Sequence, residues 1–188
     1  MRKFAGNSRG GVAAEGWRGV AEGVARGWRG GGAMVDAVMH PLVEALVLLF
    51  PSLAPWVREH PEIPAAIVEA ADAHQVPTAL LLAVCLTESR LGADPHTQLT
   101  CGVYRVPRAR QADAAAHALA RWRARCRSWP RALRMFRGGQ CASPDPHGYV
   151  RRVSALAVQI ERRAASANHH ARPERTPAHA QRRTRRAR

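Results

Sequence analysis

Aromatic side chains are scarce in this chain, at 5% of 188 residues with only 2 Tyr and 3 Phe. Runs in which Val, Ile, Thr and Tyr alternate with polar residues are missing too, so no segment reads as a half-buried strand. Without strands, the 46% apolar content, much of it Ala, implies a modest helical core and an all-α (mainly α) fold. Lysine is nearly absent, and every basic side chain except Lys3 is Arg. The 4 cysteines show no CxxC spacing and no His at a zinc-finger offset, which argues against a structural zinc site and leaves no metal or cofactor implied. No stretch supplies the ~20 apolar residues with few charges that a membrane span requires. The longest candidate, AMVDAVMHPLVEALVLLF from Ala33 to Phe50, carries Asp36, His40, Pro41 and Glu44. The opening MRKFAGNSRGG is basic but has no apolar segment behind it, so no secretory signal peptide is expected.

What the chain does have is positive charge, a formal +15. The guanidinium fork grips oxyanions at two points. The sign of the charge favours nucleic acid, anionic lipid or an acidic wall polymer, without choosing among them. The preference for Arg over Lys also follows from GC-rich coding, so the sign alone is physical evidence. The length suits one modest domain with extra segments. Residues 1–32 are rich in Gly and Arg and repeat EGWRG (Glu15–Gly19) as RGWRG (Arg26–Gly30); they read as a flexible arm, with residues 15–50 a candidate surface for a protein partner. Residues 33–57 read as an apolar helix broken near Pro41 and ended by a hinge at Pro51 and Pro55. The compact domain is expected over 58–166. From 167 to 188 the chain is His, Arg, Pro and Ala without apolar periodicity, a disordered basic tail suited to polyanions or nucleic acid.

Within the domain, HPEIPAAIVEAADAHQ reads as a helix with Ala65, Ile67, Val68, Ala71 and His74 on one face. VPTALLLAVCLTES follows; it is apolar on all sides and should be the central helix. A loop with a short extended piece at Val103–Val106 leads to RQADAAAHALARWRARCRSW, a helix with Ala115, Leu119, Trp122 and Cys126 inward. A short helix begins at Pro130, and YVRRVSALAVQIERR is the last, with Val150, Val153, Leu156, Ala157 and Ile160 inward. Cys85 reads as a small buried hydrophobe. Cys101 and Cys141 lie in loop-like sequence and are free to pair in an oxidising space, although the sequence does not fix that pairing.

Glu88 is the anomaly: a carboxylate at the C-terminal end of a helix made for burial. The negative end of the helix dipole and a low-dielectric setting both oppose its ionisation. A carboxyl held back from ionising suits a general acid that later serves as base.

Four landmarks extend this reading. VPTALLLAVCLTESRLGAD resembles the lytic transglycosylases, the soluble-transglycosylase relatives of goose-type lysozyme, in which a helix and an apolar run end in Glu-Ser; the match falls on Glu88 and Ser89. The family's Gly-Leu-Met-Gln-like loop is matched by Gly102-Val103-Tyr104-Arg105, followed by Val106-Pro107. Its Ala-Tyr-Asn-Ala-Gly-like turn is matched by Met135-Phe136-Arg137-Gly138-Gly139, and the Tyr-Val pair that opens a last helix by Tyr149-Val150. Order and separations agree over about residues 62–163. The resemblance implies a lysozyme-like domain of about five helices with Glu88 as the sole acid/base. It further implies cleavage of the MurNAc–GlcNAc β-1,4 bond of peptidoglycan with closure of a 1,6-anhydro ring. Ser89, Gly102, Tyr104, Arg105, Phe136, Arg137 and Tyr149 would be the substrate-binding residues. Two departures stand out: Arg105 and Arg137 replace the family's Gln and Asn, amides expected to contact sugar.

A two-carboxylate glycosidase needs a second Asp or Glu across the sugar. After Glu88 the domain offers only Asp94, Asp113, Asp145 and Glu161. Asp113 and Glu161 are expected on solvent faces and the other two in loops, which favours a single-Glu mechanism. The rival reading is a basic nucleic-acid-binding or virion structural protein with a degenerate lysozyme-like domain, supported by the tail QRRTRRAR. A reading that joins the two is a transglycosylase synthesised in the cytoplasm and delivered to the wall or periplasm by a phage particle or secretion machine.

Overall fold

The computed structural model describes residues 41–94, 96, 99–103, 105–145 and 147–171. The expectations for the arm 1–32, for 33–40, for Tyr104 and for the tail beyond 171 lie outside the described residues. Seven α-helices and no strands occur among the described residues, so the protein is mainly α, as its lack of alternating patterns requires.

The helices are α1 (Pro41–Leu49), α2 (Ala54–Glu59), α3 (Glu62–Ala73), α4 (Thr78–Ser89), α5 (Gln111–Cys126), α6 (Trp129–Gly138) and α7 (Tyr149–Ala171). α4 is central and packs against α3, α5 and α7. Its residues Ala79 through Leu86 are all buried, with Leu80, Leu81, Leu82 and Val84 fully so. Each such side chain contributes roughly 1.5–3 kcal/mol on burial, which explains an apolar run with no polar face. α4 stops abruptly because Arg90 and Leu91 both take left-handed backbone, with φ 51° and 60°. Such strain costs about 1–3 kcal/mol per residue and persists only where the surroundings impose it. Here Leu91 is buried and its carbonyl accepts the Trp56 indole N–H at 3.2 Å.

The sequence places α1 ahead of the domain. It packs on α7, with Val43, Ala45 and Leu46 fully buried, so the core extends upstream of Arg58. The prolines at 51 and 55 start a 3-10 turn and α2 rather than a hinge between separate bodies. At the other end α7 runs to Ala171, past the point where its apolar periodicity ends. His74, expected inward, sits at the end of α3 and bonds Asp113 of α5 at 2.7 Å.

The cysteine expectation needs correction. Cys85 joins Cys101, and Cys126 joins Cys141. Cys85 is fully buried, as its apolar helix implied, but it is bonded. The reason is tertiary: the chain after α4 turns straight back onto that helix, bringing Cys101 to the Cys85 turn. The second bridge ties the end of α5 to the loop that follows α6.

Candidate active site

Glu88, one residue from the end of α4, opens into a cleft of about 690 Å³ between α6, the residues Ser143, Pro144, Asp145 and His147, and the start of α7. Its side chain is 14% exposed. One flank is Gly102, whose φ is +75°; a Cβ there would lie 2.7 Å from Glu88 Cγ and 2.9 Å from its Oε2. Only a glycine permits both this backbone and this approach. The other flank is Tyr149, 5% exposed at the first turn of α7. The Tyr149 hydroxyl and Glu88 Oε1 are both buried and neither has a partner at hydrogen-bond geometry among the described residues. They lie close all the same. Burial first, then the Glu88 charge and its acceptor oxygens, hold the phenol protonated far above its ordinary 10.0, while Arg137 and Arg152 pull weakly the other way. Arg137, 64% exposed, reaches over the mouth: Nη1 is 3.9 Å from Glu88 Oε2, and the guanidinium lies 5.9 Å from the centre of the Tyr149 ring. At that distance the attraction to the ring face is weak but favourable.

The loop beneath Gly102 is fastened from three directions. Ser89 Oγ donates to the Thr100 carbonyl at 2.5 Å and lies 3.1 Å from the Cys85 carbonyl. The buried Gln111 side chain accepts the Thr100 N–H at 2.5 Å and the Cys101 N–H at 3.4 Å, and donates to the Val106 carbonyl at 3.2 Å. The Cys85–Cys101 bridge supplies the third fastening. The opposite wall is fastened likewise. Cys126–Cys141 anchors it, Ser143 Oγ donates to the Gly138 carbonyl at 3.0 Å, and Asp145 Oδ2 accepts the Val150 N–H at 3.0 Å at the start of α7.

The structure therefore brings Glu88, Gly102, Arg137 and Tyr149 together. Ser89 is buried behind them and holds the loop. The Phe136 ring meets Trp122 edge-on at 5.6 Å and is not part of the cleft lining. Arg105 is exposed, with φ 62°, and also lies outside the lining. Sequence reasoning missed Gln111, Arg134, His147 and Arg152, and set Asp145 aside as a loop residue away from the site. The spacing of Arg152, three residues after Tyr149 on one helix, was the one available signal. Asp145 matters most, because it puts a second carboxylate on the wall of the cleft that holds Glu88. Glu161 is half-buried rather than solvated, and burial raises its pKa. Among the described residues no group of His, Cys, Asp or Glu is placed to hold a metal ion.

Chemically, the site offers one shielded carboxylate, a phenol fixed in its protonated form beside it, and guanidinium groups at the mouth. No family model matches the chain, and no curated protein or solved structure matches it either.

Proposed function

We propose that the chain is a peptidoglycan lytic transglycosylase with Glu88 as its acid/base. The observation that carries this reading is a mostly buried carboxylate gripped between Gly102 and Tyr149 at the head of a cleft. Glu88 donates its proton to the glycosidic oxygen as the bond to MurNAc C1 breaks. The MurNAc 6-hydroxyl then attacks C1, and its proton returns to Glu88, leaving a 1,6-anhydro end and no net loss of water. Tyr149 borders the sugar and keeps its proton throughout, so it acts as a hydrogen-bond donor and not as a base. Arg137 supplies positive charge where the family has an amide. Two disulfides suit a protein that acts in an oxidising space, in keeping with delivery to the wall by a phage or secretion machine.

The test is turbidity loss of purified peptidoglycan. Glu88→Gln is nearly isosteric but cannot cycle a proton, and general acid–base catalysis is worth at least ~100-fold. Activity within a few-fold of the wild type would remove Glu88 from the role. Asp145 favours a second reading, a lysozyme-like hydrolase in which it activates water across the sugar. Mass spectrometry of the digest separates the two. Anhydro ends with Asp145→Asn still active support the transglycosylase, whereas reducing ends lost in Asp145→Asn support the hydrolase.

A further inference from the structure

Beyond the Glu88 group, the cleft is built from cations. Arg134 and Arg137 lie one turn apart on α6 and present to the same side. Arg152 projects from the first turns of α7. The carboxylates in the lining are Glu88 and Asp145. Asp145 already accepts the Val150 N–H, and among the described residues Arg137 is the one cation within ion-pair distance of Glu88. Neither Arg134 nor Arg152 pairs with a carboxylate among the described residues. Arg134 Nε is buried without an acceptor, and Arg152 donates to the His147 carbonyl, which orients its guanidinium without neutralising it. Like charges gathered in a concave site raise the local potential and select for the opposite sign. Arginine presents the planar fork that a carboxylate fits.

We propose that the wall formed by Arg134, Arg137 and Arg152 is a carboxylate subsite, which receives an acid group carried by the glycan beside the bond that Glu88 protonates. This rests on the reading of the cleft as a glycan site and deepens it. The enzyme would discriminate by charge and not by sugar shape alone, favouring strands whose muramyl side arm ends in a free carboxylate over neutral N-acetylglucosamine polymers.

N-acetylmuramic acid and its methyl ester share the lactyl arm and differ by the charge of one carboxylate, and so isolate the effect. Calorimetric titration of the full chain with each should show the acid binding about 10-fold tighter, the scale of one charge-assisted pair. The preference should fall below about 2-fold in Arg134→Gln/Arg152→Gln. Arg137 is left in place because it also faces Glu88. Arg152→Glu, a charge reversal at an exposed position, should lower binding of the acid alone and serves if the double variant does not fold. Equal binding of the two sugars by the wild type, or binding of neither, overturns the subsite. A preference that survives the substitutions places the anion elsewhere on this basic chain and overturns it too. Wall cleavage that depends on Glu88 but shows no acid preference would leave the enzyme standing without the subsite. An acid preference lost in the double variant, in a protein that cleaves nothing, would leave the subsite standing without the enzyme.

Discussion

Replacing Gly102 by Ala should disable the cleft while leaving the helices in place. The new Cβ would sit 2.7 Å from Glu88 Cγ and 2.9 Å from both its Cβ and its Oε2, where ordinary contact begins at 3.4 Å. Something has to give. The α4 backbone cannot, since the preceding eight-residue run from Ala79 to Leu86 is buried on all sides. The 100–102 loop is held by Cys101, by Ser89 and by Gln111. The Glu88 side chain is the free part and should swing out by several tenths of an ångström to ~1 Å, and a misplacement of that size costs about 100-fold in rate. The left-handed backbone adds about 1–2 kcal/mol of instability. Gly139 provides the control: its φ is also +75°, yet nothing lies within 4 Å of a Cβ there. Gly139→Ala should therefore show a similar strain and keep its activity. Thermal melts by circular dichroism and the peptidoglycan turbidity assay read the two effects separately. If Gly102→Ala retained activity within a few-fold, or if Gly139→Ala lost as much, the steric argument for Glu88 would fail.

Three further outcomes follow from the fold. Removing the first bridge by Cys85→Ala/Cys101→Ala should cost about 3 kcal/mol in a denaturant titration, from the loop of ~15 residues it closes, and should lower cleavage further by freeing Gly102. A chain beginning at Arg58 should melt well below one beginning at Pro41, because it lacks the buried Val43, Ala45 and Leu46, each worth about 1.5–3 kcal/mol for the larger side chains; equal melting points would show α1 to be dispensable. Burial raises the Glu161 pKa above 4.5, so the folded state holds that proton to higher pH than the unfolded state does. Its stabilisation is complete below 4.5 and is lost as pH rises through the folded value. Glu161→Gln should consequently raise the melting temperature at neutral pH and leave it nearly unchanged under acid, and a constant difference across the pH series would contradict this.

Most of the helices were legible because they carry a one-dimensional signature; α2, whose prolines read as a hinge, was not. The unbroken run in α4 announced full burial, and the periodicity of α7 announced its stripe, of which Val153, Ala157 and Ile160 are buried while Val150 and Leu156 are only partly so. α1 was legible as a helix but not as core, since prolines on both sides of Phe50 read as a break in the domain. Of the site, Glu88, Gly102 and Tyr149 were legible through local motifs. The far wall was not: Ser143, Pro144, Asp145 and His147 line the cleft that holds Glu88 because α6 reverses the chain and Cys126 tethers Cys141. Nothing local in Ser143, Asp145 or His147 signals that encounter. Gln111 looked like an ordinary polar residue at a helix start; its burial follows from loop carbonyls and amides that only the fold assembles.

The two sulfur bridges have a topological consequence. They follow one another along the chain, closing separations of 16 and 15 residues, without interlocking. Either alternative pairing of the same four thiols encloses at least one much longer stretch. The chance of two chain points meeting falls with the length between them. Random encounters in the unfolded chain therefore already favour the native set, and neither bond obstructs the other. A chain carried unfolded through a narrow pore would need only an oxidant on the far side to regain both walls of its cleft, in either order and with no knot to undo.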